Sequence, residues 1–178
     1  MHSLYFVKLK KDQARNSLEA RQFTIQLLDE HGFASSDSYF GSAKADWFVV
    51  GGRWSGELSL LQLKKRDFFG AVKKIVGGKD LTSEALKRHA KSIQALWKKH
   101  GGVGDNPYAR DAYSNIGEED DAQKITPSLI KALKKKYKEE AFGDYVECFD
   151  PNTLEEFNIK DITSESVGDW LVVIDYHN

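Results

Sequence analysis

Gly51-Gly52-Arg53-Trp54-Ser55-Gly56 is the stretch of this chain best equipped for binding chemistry. Three glycines open backbone conformations closed to other residues and let a ligand approach the main chain. Arg53 offers a planar fork of donors to a carboxylate or phosphate. Trp54 offers a face on which a base or ring could stack, and Ser55 adds a hydroxyl. A glycine loop leaving a buried strand suits an anion or nucleotide pocket. It matches neither the P-loop nor the dinucleotide fingerprint, both of which need other spacing and a following helix. The same residues also suit a bulged hairpin in which Trp54 caps the core and Arg53 pairs with a local acid.

Two further groups carry chemical potential. Glu118, Glu119, Asp120 and Asp121 follow Gly117 in unbroken succession. Carboxylates in a cluster suit a hard divalent cation such as Mg²⁺. The alternating acids, central glycine and distal Glu of a calcium loop are missing, and a solvated turn uses the same residues. Near the C-terminus, Asp175 and His177 fall on one face of a strand by alternation. There they could orient each other for general acid–base work, or belong to a frayed end. Cys148 lies between Glu147 and Phe149 in a strand and reads as packed rather than catalytic. His2, His31, His89 and His100 show no metal-ligand spacing.

These residues must be positioned by strands at both ends of the chain and helices between them. Ser3 to Leu9 reads as a strand. Ser17 to His31 reads as a helix capped by Asn16 and closed by Gly32, with apolar residues on two sides as if packed between neighbours. Asp46 to Val50 is an apolar strand that implies burial on both faces, and after the glycine loop Glu57 to Leu63 resumes as a strand. Helices follow at Asp67–Val76 and Leu81–His100. Asn106-Pro107 and Thr126-Pro127 open two more, to about Ile116 and Ala141. Tyr145 to Phe149 and Leu154 to Ile159 flank a type I turn at Asp150-Pro151, and Asp169 to His177 is the last strand. Asp46 to Val50 and Asp169 to Val173 share the pattern Asp-Trp-x-Val-Val. The order predicts an α+β fold: a largely antiparallel sheet of five to six strands, with helices inserted between an N-terminal β-α-β-β unit and three C-terminal strands. The first and last strands are expected side by side at its centre.

Composition bounds what such a fold can be. The 178 residues (20.2 kDa) fit one domain spanning 1–178. A chain this size buries some 70% of its surface on folding, and ten Phe, seven Tyr and four Trp are there to fill the core. Disorder does not fit so aromatic a chain. A single cysteine excludes a disulfide scaffold. No apolar run reaches the roughly 18 residues of a membrane span, and the N-terminus lacks the pattern of a signal peptide, so a cytoplasmic protein is expected. The formal net charge of −1 hides a segregation: Lys64 to Lys99 carries eleven basic residues against three acids, and Asp144 to Asp175 nine acids against Lys160. Clustered cations of this kind suit a nucleic-acid backbone, although twenty Lys to six Arg is a balance that specific phosphate or base readout does not favour. Lysines balanced by carboxylates of the same domain are the alternative.

The segments DWFVVGGRWSG, GEEDDAQ and WLVVIDYH resemble uncharacterised small proteins of phages and bacteria. The resemblance implies a mobile-element or host-interaction context and brings no residue roles with it. Two functions are therefore expected. One is a site for a phosphorylated small molecule or nucleotide formed by Gly51, Gly52, Arg53, Trp54 and Ser55, with Asp175 and His177 as acid–base pair for phosphoester hydrolysis and Glu119, Asp120 or Asp121 holding the cation. The other is a non-enzymatic interaction or inhibitor protein that recognises a protein or, through its basic helices, nucleic acid. Convergence of Arg53, Asp175, His177 and the acidic loop on one cleft discriminates between them.

Overall fold

The structure, a computed structural model, describes residues 2–34, 45–62, 65–77, 83–102, 121–139 and 146–177. In chain order they form β1 (His2–Leu9), α1 (Ser17–Glu30), β2 (Trp47–Val50), α2 (Glu57–Gln62), α3 (Lys65–Val76), α4 (Ser83–Arg88) and α5 (Ala90–Lys99). After these come β3 (Ala122–Lys124), α6 (Pro127–Glu139), β4 (Glu147–Asp150), β5 (Glu155–Asn158) and β6 (Trp170–His177). The sheet order is β2-β6-β1-β4-β5, with β3 also paired to β6. Among the described residues only β1 and β4 run parallel. The α+β class and the largely antiparallel sheet are as the sequence implies, and β1 lies beside β6 in register from His2↔His177 to Leu9↔Trp170. Among the described residues no helix is long and apolar enough to cross a membrane.

Alternation along β6 builds two cores. Trp170, Val172, Ile174 and Tyr176 pack with Tyr5, Val7, Leu9 and Phe149 under α1, which contributes Ala20 and Leu28. Leu171 and Val173 point the other way, to Phe6, Cys148 and the α6 residues Leu129, Ile130 and Leu133. Both faces of β6 are therefore covered. Among the described residues a third cluster (Leu60, Phe68, Val72, Leu86, Ile93 and Trp97) is made by α2 to α5. Local signals start the helices that cover the sheet. Asn16 accepts the Glu19 N–H at 2.9 Å, and Thr126 Oγ1 accepts the Leu129 N–H at 3.1 Å ahead of Pro127.

Four expectations are corrected. Glu57 to Leu63 is not a strand: Glu57–Gln62 is helical. Leu58 and Leu60 mimic strand alternation, but Leu, Glu and Gln favour a helix, and α2 lies between two clusters, with Leu58 in one and Leu60 in another. Leu81–His100 is interrupted at His89, which separates α4 from α5. On α1 only one side is buried, and Leu18 and Ile25 are exposed. The shared Asp-Trp-x-Val-Val pattern gives β6 a buried centre, whereas in β2 Trp47 and Val49 are 42% and 44% exposed. The physical reason is position, since β6 has neighbours on both sides and β2 lies at the sheet's edge. The helix expected after Asn106-Pro107 lies outside the described residues, as do Glu118, Glu119 and Asp120.

Candidate functional site: the glycine turn and the basic helices

The glycine segment sits where one strand position is divided between two distant parts of the chain. β1 occupies one side of β6 along its whole length, so β2 and β3 share the other, β2 beside Ile174–His177 and β3 beside Trp170–Val172. Between them, at Val173, the Gly51 N–H donates to the Val173 carbonyl and the Val173 N–H donates to the Asp121 carbonyl, each at 2.8 Å. An antiparallel ladder normally asks both bonds of a single residue. Here Gly51 supplies the donor and Asp121 the acceptor, and residues 52–120 leave and return between them.

Two buried carboxylates close this junction. Asp121 and Asp175 are each 2% exposed. Asp121 accepts the Ser55 hydroxyl at 2.7 Å and the Gly56 N–H at 3.3 Å. Asp175 accepts the Arg53 N–H at 2.9 Å through Oδ2, and its Oδ1 meets His2 Nδ1 at 2.9 Å. The glycines make room for both acids. A Cβ on Gly51 would lie 2.0 Å from Asp121 Oδ2, and one on Gly52 would lie 2.4 Å from Asp175 Oδ2; both residues have positive φ.

The site therefore brings together Gly51, Gly52, Arg53, Ser55, Asp121 and Asp175, which the sequence had singled out in three separate segments. It does not join Asp175 to His177. That imidazole stacks on Trp47 and lies 3.4 Å from Asp46, and the histidine on Asp175 is His2. Sequence reasoning missed His2 because its partner lies at the other end of the chain; the signal was the matched length of β1 and β6, which sets His2 opposite His177. Trp54 is half-buried against the α6-side core and Arg53 is exposed.

This geometry decides what the turn can do chemically. A phosphate cradle needs backbone N–H groups aimed outward. The N–H groups of Gly51, Arg53, Trp54, Ser55 and Gly56 all donate within the protein, to Val173, Asp175, Gly51, Gly52 and Asp121 in turn. Internal anions already take the donors at Arg53 and Gly56. A helix does follow the loop, contrary to the hairpin expectation, but its six residues form a short turn that locks onto α6 through Glu57 and Lys136. Among the described residues no group of three or more His, Cys, Asp or Glu side chains is placed to hold a metal ion, and Asp121 is committed to the turn.

The basic helices present a different picture. Lys73, Lys74, Lys87, Arg88, Lys91, Lys98 and Lys99 are all exposed. None of them forms an ion pair among the described residues; the ion pairs there involve other side chains. On α5, Ile93 and Trp97 face the third cluster, so Lys91 and Lys98, seven residues apart, lie together on the outward side. Only Asp67 and Glu84 oppose them among the described side chains of α3 to α5. In comparisons with known proteins, no family model, no curated protein and no solved structure matches this chain.

Proposed function

We propose that the protein is a non-enzymatic interaction module that contacts nucleic acid through the outward faces of α3, α4 and α5. One observation carries this reading: seven exposed cations on these helices form no ion pair among the described residues. Lysines that merely solubilise a helix commonly lie among acids at helical spacing, and here that balance is missing. The acids instead gather in the C-terminal third, so the whole chain stays near neutral while the stretch Lys64–Lys99 is strongly positive. Twenty lysines to six arginines favours contact with the phosphate backbone over base readout. The internal bonds made by the N–H groups of Gly51, Arg53, Trp54, Ser55 and Gly56 support a structural role for the glycine turn and count against a phosphate cradle there.

Fluorescence anisotropy with a labelled 25-base-pair DNA duplex and a 25-nucleotide single strand tests the proposal. Binding by the full chain is expected at about 50 mM salt, falling roughly a hundredfold by about 200 mM if some four phosphates are neutralised. The triple variant Lys87→Glu, Lys91→Glu, Lys98→Glu should abolish it with the melting temperature nearly unchanged, because these side chains are exposed. Undetectable binding at the lower salt, or unaltered affinity of the triple variant, refutes the reading. A thermal-shift screen with nucleotides provides the contrast: a shift lost in Arg53→Ala would restore the phosphorylated-ligand site.

A further inference from the structure

Where β1 and β4 end and the chain turns into β5, the surface folds into a cleft of about 310 Å³, within the range of small-ligand sites. Two single turns of 3-10 helix, Ile159–Asp161 and Ser164–Ser166, supply part of its wall. Inside it, Ile162 is buried and Phe157 half-buried. Lys8 and Asp150 also line it, paired at 2.9 Å with side-chain exposures of 13% and 5%, so their charges offset each other. Among the described residues neither the glycine turn nor α3 to α5 contributes to this cleft.

Its exposed charges are mostly acidic. Glu155 of β5 and Asp161 and Glu165 of the two turns line the cleft, against one exposed cation, Lys10. Among the described residues none of these three carboxylates has an ion-pair or side-chain hydrogen-bond partner. Ser166 is a second and independent sign of a ligand. It lines the cleft, is only 7% exposed, and its hydroxyl meets no partner among the described residues. Buried hydroxyls are normally hydrogen-bonded, so this one is left for a group that enters the cleft. Among the described residues no three His, Cys, Asp or Glu side chains are placed to hold a metal ion, so the three acids do not converge on one point. Carboxylates spread around a cleft with apolar surface suit an extended cation whose charges are spaced by methylenes.

We propose that this cleft binds a linear aliphatic polyamine, with its ammonium groups on Glu155, Asp161 and Glu165, its methylenes over Phe157 and Ile162, and one N–H donated to the Ser166 hydroxyl. An anionic ligand is disfavoured, because the Lys8 ammonium is already paired and Lys10 faces three carboxylates. Each ammonium added to the chain meets a further carboxylate, so affinity rises from monoamine to triamine. The site shares no residue with the basic helices and stands independently of nucleic-acid binding.

Calorimetric titration of the full chain with n-butylamine, 1,4-diaminobutane and spermidine tests the site, at about 50 mM salt so that exposed charges are weakly screened. One saturable spermidine site is expected, with weaker binding of the diamine and none resolved for the monoamine. The double variant Asp161→Asn, Glu165→Gln should weaken spermidine by about tenfold, since one exposed ion pair contributes up to about fivefold. Ser166→Ala should weaken it by about threefold. Melting temperatures are expected to stay nearly unchanged in both, because the groups removed have no partner within the fold. The control Asp29→Asn, Glu30→Gln takes the same number of acids from the exposed end of α1 and should leave the affinity unaltered. Absence of saturable spermidine binding, equal binding of the monoamine, full affinity in the double variant or in Ser166→Ala, or an equal loss in the control overturns the proposal.

Discussion

Gly51 has no room for a side chain and no L-residue substitute for its backbone. Its φ is +79°, and an added Cβ would meet the Asp121 carboxylate. Gly51→Ala should therefore cost at least about 2 kcal/mol in urea denaturation, combining backbone strain with displacement of a buried acid. Gly77→Ala isolates the strain alone, since its φ is +74° with nothing within 4 Å of the added carbon, and should cost about 1 kcal/mol. Equal losses in the two variants would show that Asp121 yields freely. Cys148 offers a second test. It is fully buried in β4, and burial pushes its thiol well above the ordinary value. Iodoacetamide at about pH 8 should leave it unmodified in the native protein and label it readily in denaturant, because only the thiolate reacts; rapid native labelling would contradict the burial. Among the site residues, the sequence made Gly51, Asp121 and Asp175 recognisable as unusual. Their mutual contacts were hidden, because the carboxylates that fill the glycine turn come from 65 and more residues away.

At the scale of elements, the ends of the chain were more readable than its middle. α6 carries a strong apolar period, α1 a clear N-cap, and β1 and β6 runs of β-favouring residues, and all four lie where their residues imply, although α1 buries one side rather than two. Glu57–Gln62 misleads because six residues are too few to separate a helix from a strand by period. The repeated Asp-Trp-x-Val-Val pattern states that a segment is a strand but not whether it has one neighbour or two. One pairing between elements responds to pH. Lys8 of β1 reaches Asp150 of β4 at 2.9 Å across the parallel pair. Burial pushes the Asp150 carboxyl up, but the Lys8 ammonium and the Asn152 N–H outweigh it, so the folded pKa lies below the ordinary value. A carboxyl lowered in this way stabilises the fold above its unfolded pKa of about 4, and that contribution is lost as pH falls through the folded value. The melting-temperature deficit of Asp150→Asn should accordingly be full at about pH 6 and shrink towards pH 2.5. A deficit that stays constant across this range would remove the ion pair from the account.

For the molecule as a whole, the near-zero charge is a sum of unlike surfaces. Fields from exposed charges decay over about 10 Å at 0.1 M salt, so a partner meets the local balance of α3 to α5 rather than the total. Increasing salt should weaken nucleic-acid binding steeply while leaving the melting temperature almost unmoved, because the seven cations form no ion pair among the described residues. A melting temperature that falls in parallel with affinity would mean that those lysines serve the fold instead. Composition revealed the segregation at once. Exposure and lack of partners became visible only when the apolar stripes of α3 and α5 were seen turned to their own cluster.

The divided edge of the sheet also governs when the protein can fold. Among the described residues β2 and β3 pair only with β6, and β6 follows both of them in the chain. On the ribosome, β1, β4 and β5 can meet as soon as residue 158 emerges, but Trp47–Val50 and Ala122–Lys124 must wait for β6, which is synthesised after all of these. For that interval the nascent chain carries the open apolar segment Trp47–Val50, which is the exposure that invites chaperone binding or aggregation.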